Sequence, residues 1–417
     1  MKNLFKIAGI VTCIAAFIIF FLCSCNIKKE NYHISNINSD TIHINADHII
    51  ENFEYSKIFS KVDYIPLETS PECIIGGIDK MIRTEKHFFI LDKQTLSILI
   101  FDIEGGFIHK ISQFGKGPRE YVALYDFFLD IQNNWIILNC GTKFLYFDMN
   151  TCKFIKEERK VKNNECTYLK NETFAYYLKN ANWSGKYNIC VYRKEQLIYQ
   201  HLPISKKMEG FTFANEYSFS QSDNDGNVYF VEMLDDVVYK LNADSMTTAF
   251  YIDFGKNRLP INFLDDIPVQ EREERLVKSS YCKNIHNFIN NDNVFFFNFS
   301  YKDKNISYLR FHNSEIQFMF QNHINDLTFI GTINPLLFCD DVSMYSWTQM
   351  FDFKELYPLI KQSEDVLDAF EKEEGNIKHK KEIDDYRNKL LAIKEQLQVI
   401  AERSEEDNPV IIRFYYH

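Results

Sequence analysis

The sequence has little glycine, proline and tryptophan, with 14, 9 and 3 of them in 417 residues. Glycine is at about half of its average usage, which excludes collagen-like and low-complexity chains. Positively charged residues are also outnumbered, since the chain has 47 Lys and Arg but 58 Asp and Glu, which gives a net charge of −11. Such an acidic chain is unsuited to a phosphate backbone, so we expect no nucleic acid partner. The hydrophobic share of 46% predicts a folded chain rather than a disordered one.

The recognisable catalytic motifs are missing as well. Beyond the N-terminal segment there is no P-loop, no Gly-x-Ser-x-Gly, no His-Glu-x-x-His and no paired Cys-x-x-Cys. The eleven histidines are scattered and show no metal-ligand spacing. The sequence therefore predicts no cofactor.

The N-terminus is typical of an exported protein. Lys2 and Lys6 precede an apolar run at 7–22, which is shorter than the about 20 residues of a spanning helix. Leu22 and Ser24 stand before Cys25 as in a bacterial lipobox, which predicts a signal peptide at 1–24 and lipidation of Cys25. An uncleaved membrane anchor is the alternative. Residues 25–50 are polar and predict a tether behind the lipid.

A repeat of about 46 residues organises the rest of the chain. The segment at 87–92 with its aromatic-Asp partner at 100–102 recurs at 134–139 and 146–148, and again at 227–232 and 239–242. Each unit holds three or four aromatic and β-branched runs separated by turn residues. Four antiparallel strands in a unit of this length are typical of a β-propeller blade. A fifth unit comes later than expected, because an insertion near 256–280 carries a charged, short helix.

The leftover strand-like segments predict how the ring closes. Residues 59–67, 327–333, 336–347 and 410–416 together make a sixth blade that both chain ends share. The fold class is therefore all-β, a six-bladed β-propeller of four-stranded antiparallel blades closed by both termini. The blades span 51–350, a helical insertion occupies 351–407, and the ring-closing strand is 408–417.

Four stretches resemble a known family, the six-bladed, NHL-like β-propeller lipoproteins of Bacteroidota, which have no defined activity. They are residues 64–69 (YIPLET), 98–105, 115–121 (GKGPREY) and 407–410 (DNPV). The resemblance implies export to the outer membrane. Lys28 and Lys29 stand where this phylum places an acidic run for surface display, so we expect the protein to face the periplasm.

Candidate binding residues fall into two groups. Arg119, Glu120 and Tyr121 lie in the GKGPREY loop, where Arg119 can grip a carboxylate or sulfate, or else pin blades together. The repeat register places Asp79 and Asp126 at equivalent points of the channel-lining strands, with His286 near the same level in blade five. These side chains either hold a cation or are solvated carboxylates at strand ends.

Two acceptor-like triplets predict O-glycosylation of the kind that Bacteroidota carry. Thr41 follows Asp40 at the end of the tether, and Ser245 follows Asp244 in a turn of blade four. Exposed positions suit a modifying enzyme.

Two functions from different classes are compatible with these features. The favoured hypothesis is a monomeric, lipid-anchored binding module for a glycan, a peptide or an envelope protein. The alternative is an enzyme that uses the central channel, either a metal-dependent, lactonase-like hydrolase or a polysaccharide lyase. No nucleophile with a positioned base is visible, so binding is preferred over catalysis.

Overall fold

We analysed a computed structural model of the chain. It describes residues 41–417 apart from 163, 182–184, 214–217, 221–226, 313–315, 328–337, 341 and most of 351–402. The signal peptide, Cys25, the helices expected in 351–407 and most of the strand expected at 327–333 lie outside the described residues. The propeller belongs to one compact unit, Ser35–Met350 with Glu406–His417.

The described residues form a six-bladed β-propeller, which confirms the predicted fold class. In chain order the strands are β1 (Thr41–His43), β2 (Ile50–Glu54), β3 (Phe59–Pro66), β4 (Lys80–Arg83), β5 (His87–Asp92), β6 (Ser97–Asp102), β7 (Phe107–Ile111), β8 (Asp126–Asp130), β9 (Trp135–Asn139), β10 (Lys143–Asp148), β11 (Phe154–Arg159), β12 (Glu165–Tyr168), β13 (Thr173–Tyr177), β14 (Tyr187–Arg193), β15 (Gln196–Pro203), β16 (Val228–Val231), β17 (Val237–Leu241), β18 (Met246–Asp253), β19 (Lys283–Asn290), β20 (Val294–Tyr301), β21 (Lys304–Phe311), β22 (Gln317–Ile324), β23 (Phe338–Cys339), β24 (Ser343–Thr348) and β25 (Val410–Tyr416).

Six small sheets make the blades. Blades 1 to 3 are β4–β7, β8–β11 and β12–β15. Blade 4 is β16–β18 with β1 at its edge, and a bridge between Phe219 and Phe230 adds its innermost position. Blade 5 is β19–β22 with β2 at its edge, and blade 6 is β23, β24, β25 and β3.

Side-chain packing, rather than strand pairing, joins one blade to the next in the described part of the chain. Between blades 2 and 3, for example, the rings of Phe144 and Phe174 stack with centroids 4.0 Å apart. The inner strands carry runs of consecutive apolar residues, so each sheet has two apolar faces that neighbouring blades cover.

The sixth blade draws strands from both chain ends, as the sequence predicts. β25 lies between β24 and β3 and pairs antiparallel with both, so Val410 opposes Pro66 and Phe414 opposes Val62. The whole apolar set of β25 is buried, including Val410, Ile411 and Ile412 at 0% exposure. The C-terminal strand thus completes the ring from within the last blade.

The chain reaches that blade along the outside of the propeller. We call residues 41–58 the belt. Its β1 pairs parallel with β18 of blade 4, and its β2 pairs parallel with β22 of blade 5. Phe53 anchors the belt because its buried ring stacks on Phe320 with centroids 4.4 Å apart. Residues 41–50 of the stretch expected to be a tether therefore pack on the propeller.

One helix lies in the predicted insertion between blades 4 and 5, α1 (Val269–Val277). Its Arg272 is 6% exposed, and its guanidinium donates to the backbone carbonyls of Ile267 and Lys207. These bonds attach the insertion to the connection between blades 3 and 4, where Phe211, Met233 and Leu276 form a small core. Among the described residues, no helix has the length and apolar character that a membrane crossing requires.

Candidate functional site

The DNPV stretch supplies a buried clamp at the ring closure. Asn408 is 2% exposed, and its Oδ1 accepts a hydrogen bond of 2.8 Å from the backbone N–H of Ile75. Its Nδ2 donates to the carbonyls of Glu68 and Cys73 at 2.6 and 2.8 Å. One side chain therefore ties the start of β25 to the loop that leads into blade 1.

Glu68 of the YIPLET stretch joins the same junction to blade 1. Its backbone N–H donates to the carbonyl of Gly105 at 2.8 Å, and its carboxylate accepts from the N–H of Phe107 at 2.9 Å. Gly105 has a φ of 93°, and a Cβ there would lie 2.5 Å from the carbonyl oxygen of Pro66. Only glycine fits this contact. These motif residues close the ring.

The GKGPREY loop, by contrast, holds itself in shape. The Glu120 carboxylate accepts a hydrogen bond of 2.7 Å from the N–H of Gly117. A Cβ on Gly115 would lie 2.0 Å from the same carboxylate oxygen, so any larger residue there would displace the Glu120 side chain. Glu120, one of the predicted binding residues, points back into its own loop and fixes the loop's conformation.

Tyr121 fastens the loop to blade 1. It is 2% exposed, and its hydroxyl donates to the carbonyl of Leu96 at 2.8 Å. Its backbone N–H donates to the carbonyl of Gln113 at 2.9 Å. Burial raises the pKa of Tyr121 to about 12. Tyr121, one of the predicted binding residues, is therefore buried and attaches the loop to blade 1.

Arg119 is exposed to solvent, as are Lys116 and Pro118 of the same loop. Its φ is 69°, in the left-handed region that L residues rarely occupy. The guanidinium carbon lies 4.9 Å from the ring centroid of Phe154, on β11 of blade 2. In the part of the chain that the structure describes, no carboxylate pairs with this guanidinium. The loop holds an exposed, uncompensated cation over an aromatic ring.

Exposed apolar side chains occur in the same connection between β7 and β8. Phe114 is 68% exposed and Val122 55%, although side chains of this size normally avoid water. We call Phe114, Arg119 and Val122, with the exposed Lys116, the loop surface. It offers positive charge and apolar side chains in one loop.

Tyr125 is 60% exposed but does not belong to the loop surface. It lies against Gly141, at the opposite end of blade 2 from Phe154.

The channel-lining strands of blades 1 and 2 share one register. Lys80 pairs with Leu91 and Phe127 pairs with Leu138, each 47 residues further along, so Asp79 and Asp126 occupy equivalent positions. The next residue, Lys80, is the one whose side chain contacts Asp126 in blade 2.

Each of these carboxylates already has a protein partner. Lys80 forms an ion pair of 2.7 Å with Asp126 across blades 1 and 2. Asp79 accepts a hydrogen bond of 2.8 Å from the backbone N–H of Lys93. His286 pairs with Asn298 in blade 5, and its Nδ1 lies 2.8 Å from the carbonyl of Asn284. The structure does not bring Asp79, Asp126 and His286 together, and no group of three metal-ligating side chains occurs among the described residues.

A carboxyl group that the sequence analysis missed lies between blades 3 and 4. Glu232 follows β16, and Asn188 of β14 donates a hydrogen bond to its Oε1. Burial, with a smaller contribution from the nearby Asp235 charge, raises the pKa of Glu232 to about 7 against the lowering effect of the Asn188 hydrogen bond. The sequence does not reveal this raised pKa, because the Glu232 carboxyl is buried only when blade 3 packs against blade 4.

This carboxyl predicts a stability that depends on pH. The folded pKa of about 7 lies above the ordinary value of 4.5, so the folded state holds the proton more tightly than the unfolded state does. Stability from Glu232 is therefore present below about pH 4.5 and is lost as pH rises to 7. Glu232→Gln stays neutral and should exceed the wild type by about 1–3 kcal/mol at pH 8 and match it near pH 5.

Thermal melts of both proteins between pH 5 and 8 measure this difference. The exposed Glu195→Gln in the β14–β15 turn serves as a control that should follow the wild-type curve. A constant difference between Glu232→Gln and wild type across the range would contradict the account.

The two predicted glycosylation residues have different surroundings. Thr41 is half-buried in β1, opposite Tyr251. Ser245 is exposed in the turn between β17 and β18, and its backbone N–H donates to Asn242 Oδ1 at 2.8 Å. The turn presents Ser245 more openly than the strand presents Thr41. Both remain predictions.

Comparison with known proteins identifies the family. A domain of unknown function, DUF4934, matches residues 39–415. The chain belongs to the DUF4934 family. No curated protein sequence matches the DUF4934 protein.

Solved structures share its fold. A protein described as exported, from Bacteroides fragilis, is similar with a TM-score of 0.66 and 16% identity, over 90% of this chain and 99% of the other. A member of the DUF4221 family from Bacteroides vulgatus has a TM-score of 0.45 and 10% identity, over 86% and 97%. At these identities the first match shows the fold alone, and the DUF4934 protein shares it.

Proposed function

We propose that the DUF4934 protein is a lipid-anchored propeller of the cell envelope that binds an acidic ligand through its loop surface. The observation that carries the proposal is Arg119. The loop uses two close glycine contacts and an internal carboxylate latch to hold this residue at a φ of 69°. This backbone conformation is shared by fourteen other non-glycine residues of the described chain, so the proposal rests on the exposed guanidinium that the loop holds in place and on its lack of a carboxylate partner among the described residues.

The chemistry of the loop surface indicates the kind of ligand. A guanidinium binds a carboxylate or a sulfate through two parallel hydrogen bonds. The exposed ring of Phe114 can stack on a sugar ring or on an apolar side chain. An acidic glycan, an acidic peptide or an acidic patch of an envelope protein has the required combination of charge and apolar surface.

Export supports this placement, and the anchor is part of the proposal. The B. fragilis protein of the same fold is described as exported. Leu22 and Ser24 before Cys25 fit lipidation, and two or more acyl chains would hold the protein durably at a membrane. We propose the outer membrane and a periplasm-facing orientation, since Lys28 and Lys29 follow the anchor.

The enzymatic alternative has less support. Lys80 already pairs with Asp126 at 2.7 Å, and the described residues hold no cluster that suits a metal ion. No observation among them favours a lactonase-like hydrolase or a lyase over a binding module.

Arg119→Ala is expected to weaken ligand binding. Loss of a charged, bidentate contact costs about 1.5–3 kcal/mol, or roughly 10-fold to 100-fold in Kd. Uronate-containing oligosaccharides and acidic peptides are screened first, and Kd for the best ligand is then measured by titration calorimetry. Arg119→Lys keeps the positive charge but not the planar guanidinium that makes two parallel hydrogen bonds, so we expect an intermediate loss of affinity.

Arg275→Ala is the matched control. Arg275 is also exposed, and its guanidinium carbon lies 5.9 Å from the Phe263 ring, but on α1, away from the loop. The Kd of the Arg275→Ala variant for the same ligand should stay within about twofold of the wild-type Kd. Equal Kd values for Arg119→Ala and the wild type, with both folded, would refute the proposed site.

A further inference from the structure

The outermost strands of the blades are not equally covered. The belt pairs with β18 of blade 4 and β22 of blade 5. The outermost strands of blades 1, 2 and 3 are β7, β11 and β15, and in the described part of the chain each has a partner on one side only. A free strand edge presents unpaired N–H and C=O groups that another strand can join.

Charge protects two of these three edges but not the third. β11 reads FIKEER and carries four charged side chains, and β7 is a five-residue strand with Lys110. β15 has eight residues, QLIYQHLP, with no Lys, Arg, Asp or Glu. Charged side chains on an edge oppose strand pairing, so β15 lacks a safeguard that its counterparts have.

The belt shows how such an edge is filled in this fold. β1 and β2 both run parallel to the outermost strand that they join. Each inserts one apolar side chain into the propeller wall, Ile42 at 3% exposure and Phe53 at 0%. Main-chain pairing supplies affinity in this mode, and pockets for alternate side chains supply specificity.

We propose that β15 accepts an extended, uncharged segment of a partner polypeptide, paired parallel along Gln196–His201. Leu197 is 43% exposed and is available to cover an apolar side chain of that segment. The pairing ends at Leu202, whose φ of 59° breaks the extended conformation, and at Pro203, which has no N–H. This surface lies in blade 3 and does not depend on the loop surface.

A second copy of the chain is a less suitable occupant. Stable interfaces between folded proteins bury about 1,200 Å² or more. Six residues of one edge supply only a small part of that area, whereas a single extended segment needs no more than the edge itself.

The experiment uses the full chain and a synthetic peptide as the probe. The probe is residues 41–46 of the belt, TIHINA, acetylated and amidated so that it is uncharged apart from its histidine. Hydrogen–deuterium exchange is measured with and without the peptide. Slower exchange of the amides at 196–201, with smaller or no change at β7 and β11, is the expected result.

Two double variants test the role of charge. L197K/Q200K places cations on the exposed side of β15, and the peptide should bind at least about tenfold more weakly. I108K/H109K makes the same change on β7, and binding should be unchanged. Both pairs are exposed, so the thermal midpoints should match the wild type, and Gln200→Lys alone serves if the double variant unfolds.

Other outcomes would overturn the proposal. The first is unchanged exchange at 196–201 in the presence of millimolar peptide. The second is a slowing of exchange that L197K/Q200K does not remove. The third is that the amides at 196–201 already exchange slowly without peptide and exchange faster once residues 26–40 are deleted, which would mean that this chain's own segment occupies the edge. A dimer in sedimentation experiments that L197K/Q200K dissociates would assign the edge to a second copy instead.

Discussion

A chain that ends at Pro409 is expected to lose cooperative folding. The deletion removes β25 from the middle of blade 6 and leaves β24 and β3 without their shared partner. It also removes Ile411, Ile412 and Phe414, all at 0% exposure. Each buried side chain of this size is worth about 1.5–3 kcal/mol, so the loss rivals the 5–15 kcal/mol that stabilises a typical domain.

Circular dichroism melts and limited proteolysis measure this outcome. The truncated chain should aggregate or be cleaved rapidly, without a sharp thermal transition. Removal of His417 alone, which is exposed, should leave the transition nearly unchanged. A truncated protein that melts as sharply as the full chain, and at the same temperature, would show that the ring does not need its last strand.

Asn408→Ala is expected to be the most destabilising single substitution of those considered. It leaves the N–H of Ile75 and the carbonyl of Cys73 without this partner, whereas the carbonyl of Glu68 keeps its contact with the Cys73 thiol. A buried polar group without a partner costs about 1–3 kcal/mol, so the two groups together predict a loss of roughly 2–6 kcal/mol. Urea denaturation of both proteins gives the difference in the free energy of unfolding.

Asn408→Asp sharpens the test of the clamp. It keeps an acceptor for Ile75 but places a carboxylate oxygen against two carbonyls, so it should not rescue stability. Asn262→Ala, at an exposed position in the insertion, should change stability by less than about 0.5 kcal/mol. A loss below about 1 kcal/mol for Asn408→Ala would contradict the clamp.

The architecture could be predicted because the repeat leaves a mark at each blade. Counterparts such as Phe89 and Ile136 recur at the blade period and are buried in the structure, and the leftover strands could be counted into one sixth blade. The short strands of the belt could not be recognised. Thr41–His43 is three residues long, and its parallel partner lies some 210 positions later.

The candidate site was harder to predict, because its details depend on tertiary contacts. Asp79 and Asp126 occupy equivalent positions in the repeat, yet Lys80 of blade 1 is the residue that pairs with Asp126, and a repeat pattern does not show which side chains meet between blades. Glu120 and Tyr121 share the GKGPREY motif with Arg119, yet only the fold separates the two supporting residues from the exposed one. The role of Asn408 likewise depends on a loop more than 300 positions away.

The motifs therefore separate into two roles. Those at 64–69, 98–105 and 407–410 hold blades 6 and 1 together, whereas the loop at 115–121 combines an internal latch with an exposed cation. Substitutions in the first group should act on stability, and Arg119→Ala should act on binding with little effect on stability.

The most direct test of the binding proposal is a hydrogen–deuterium exchange footprint of the best ligand from the acidic glycan and peptide screen. The account predicts slower exchange in residues 113–125, with unchanged exchange in residues 66–75 and at the start of β25. A footprint that spares residues 113–125 and falls on the channel-lining strands instead would contradict it.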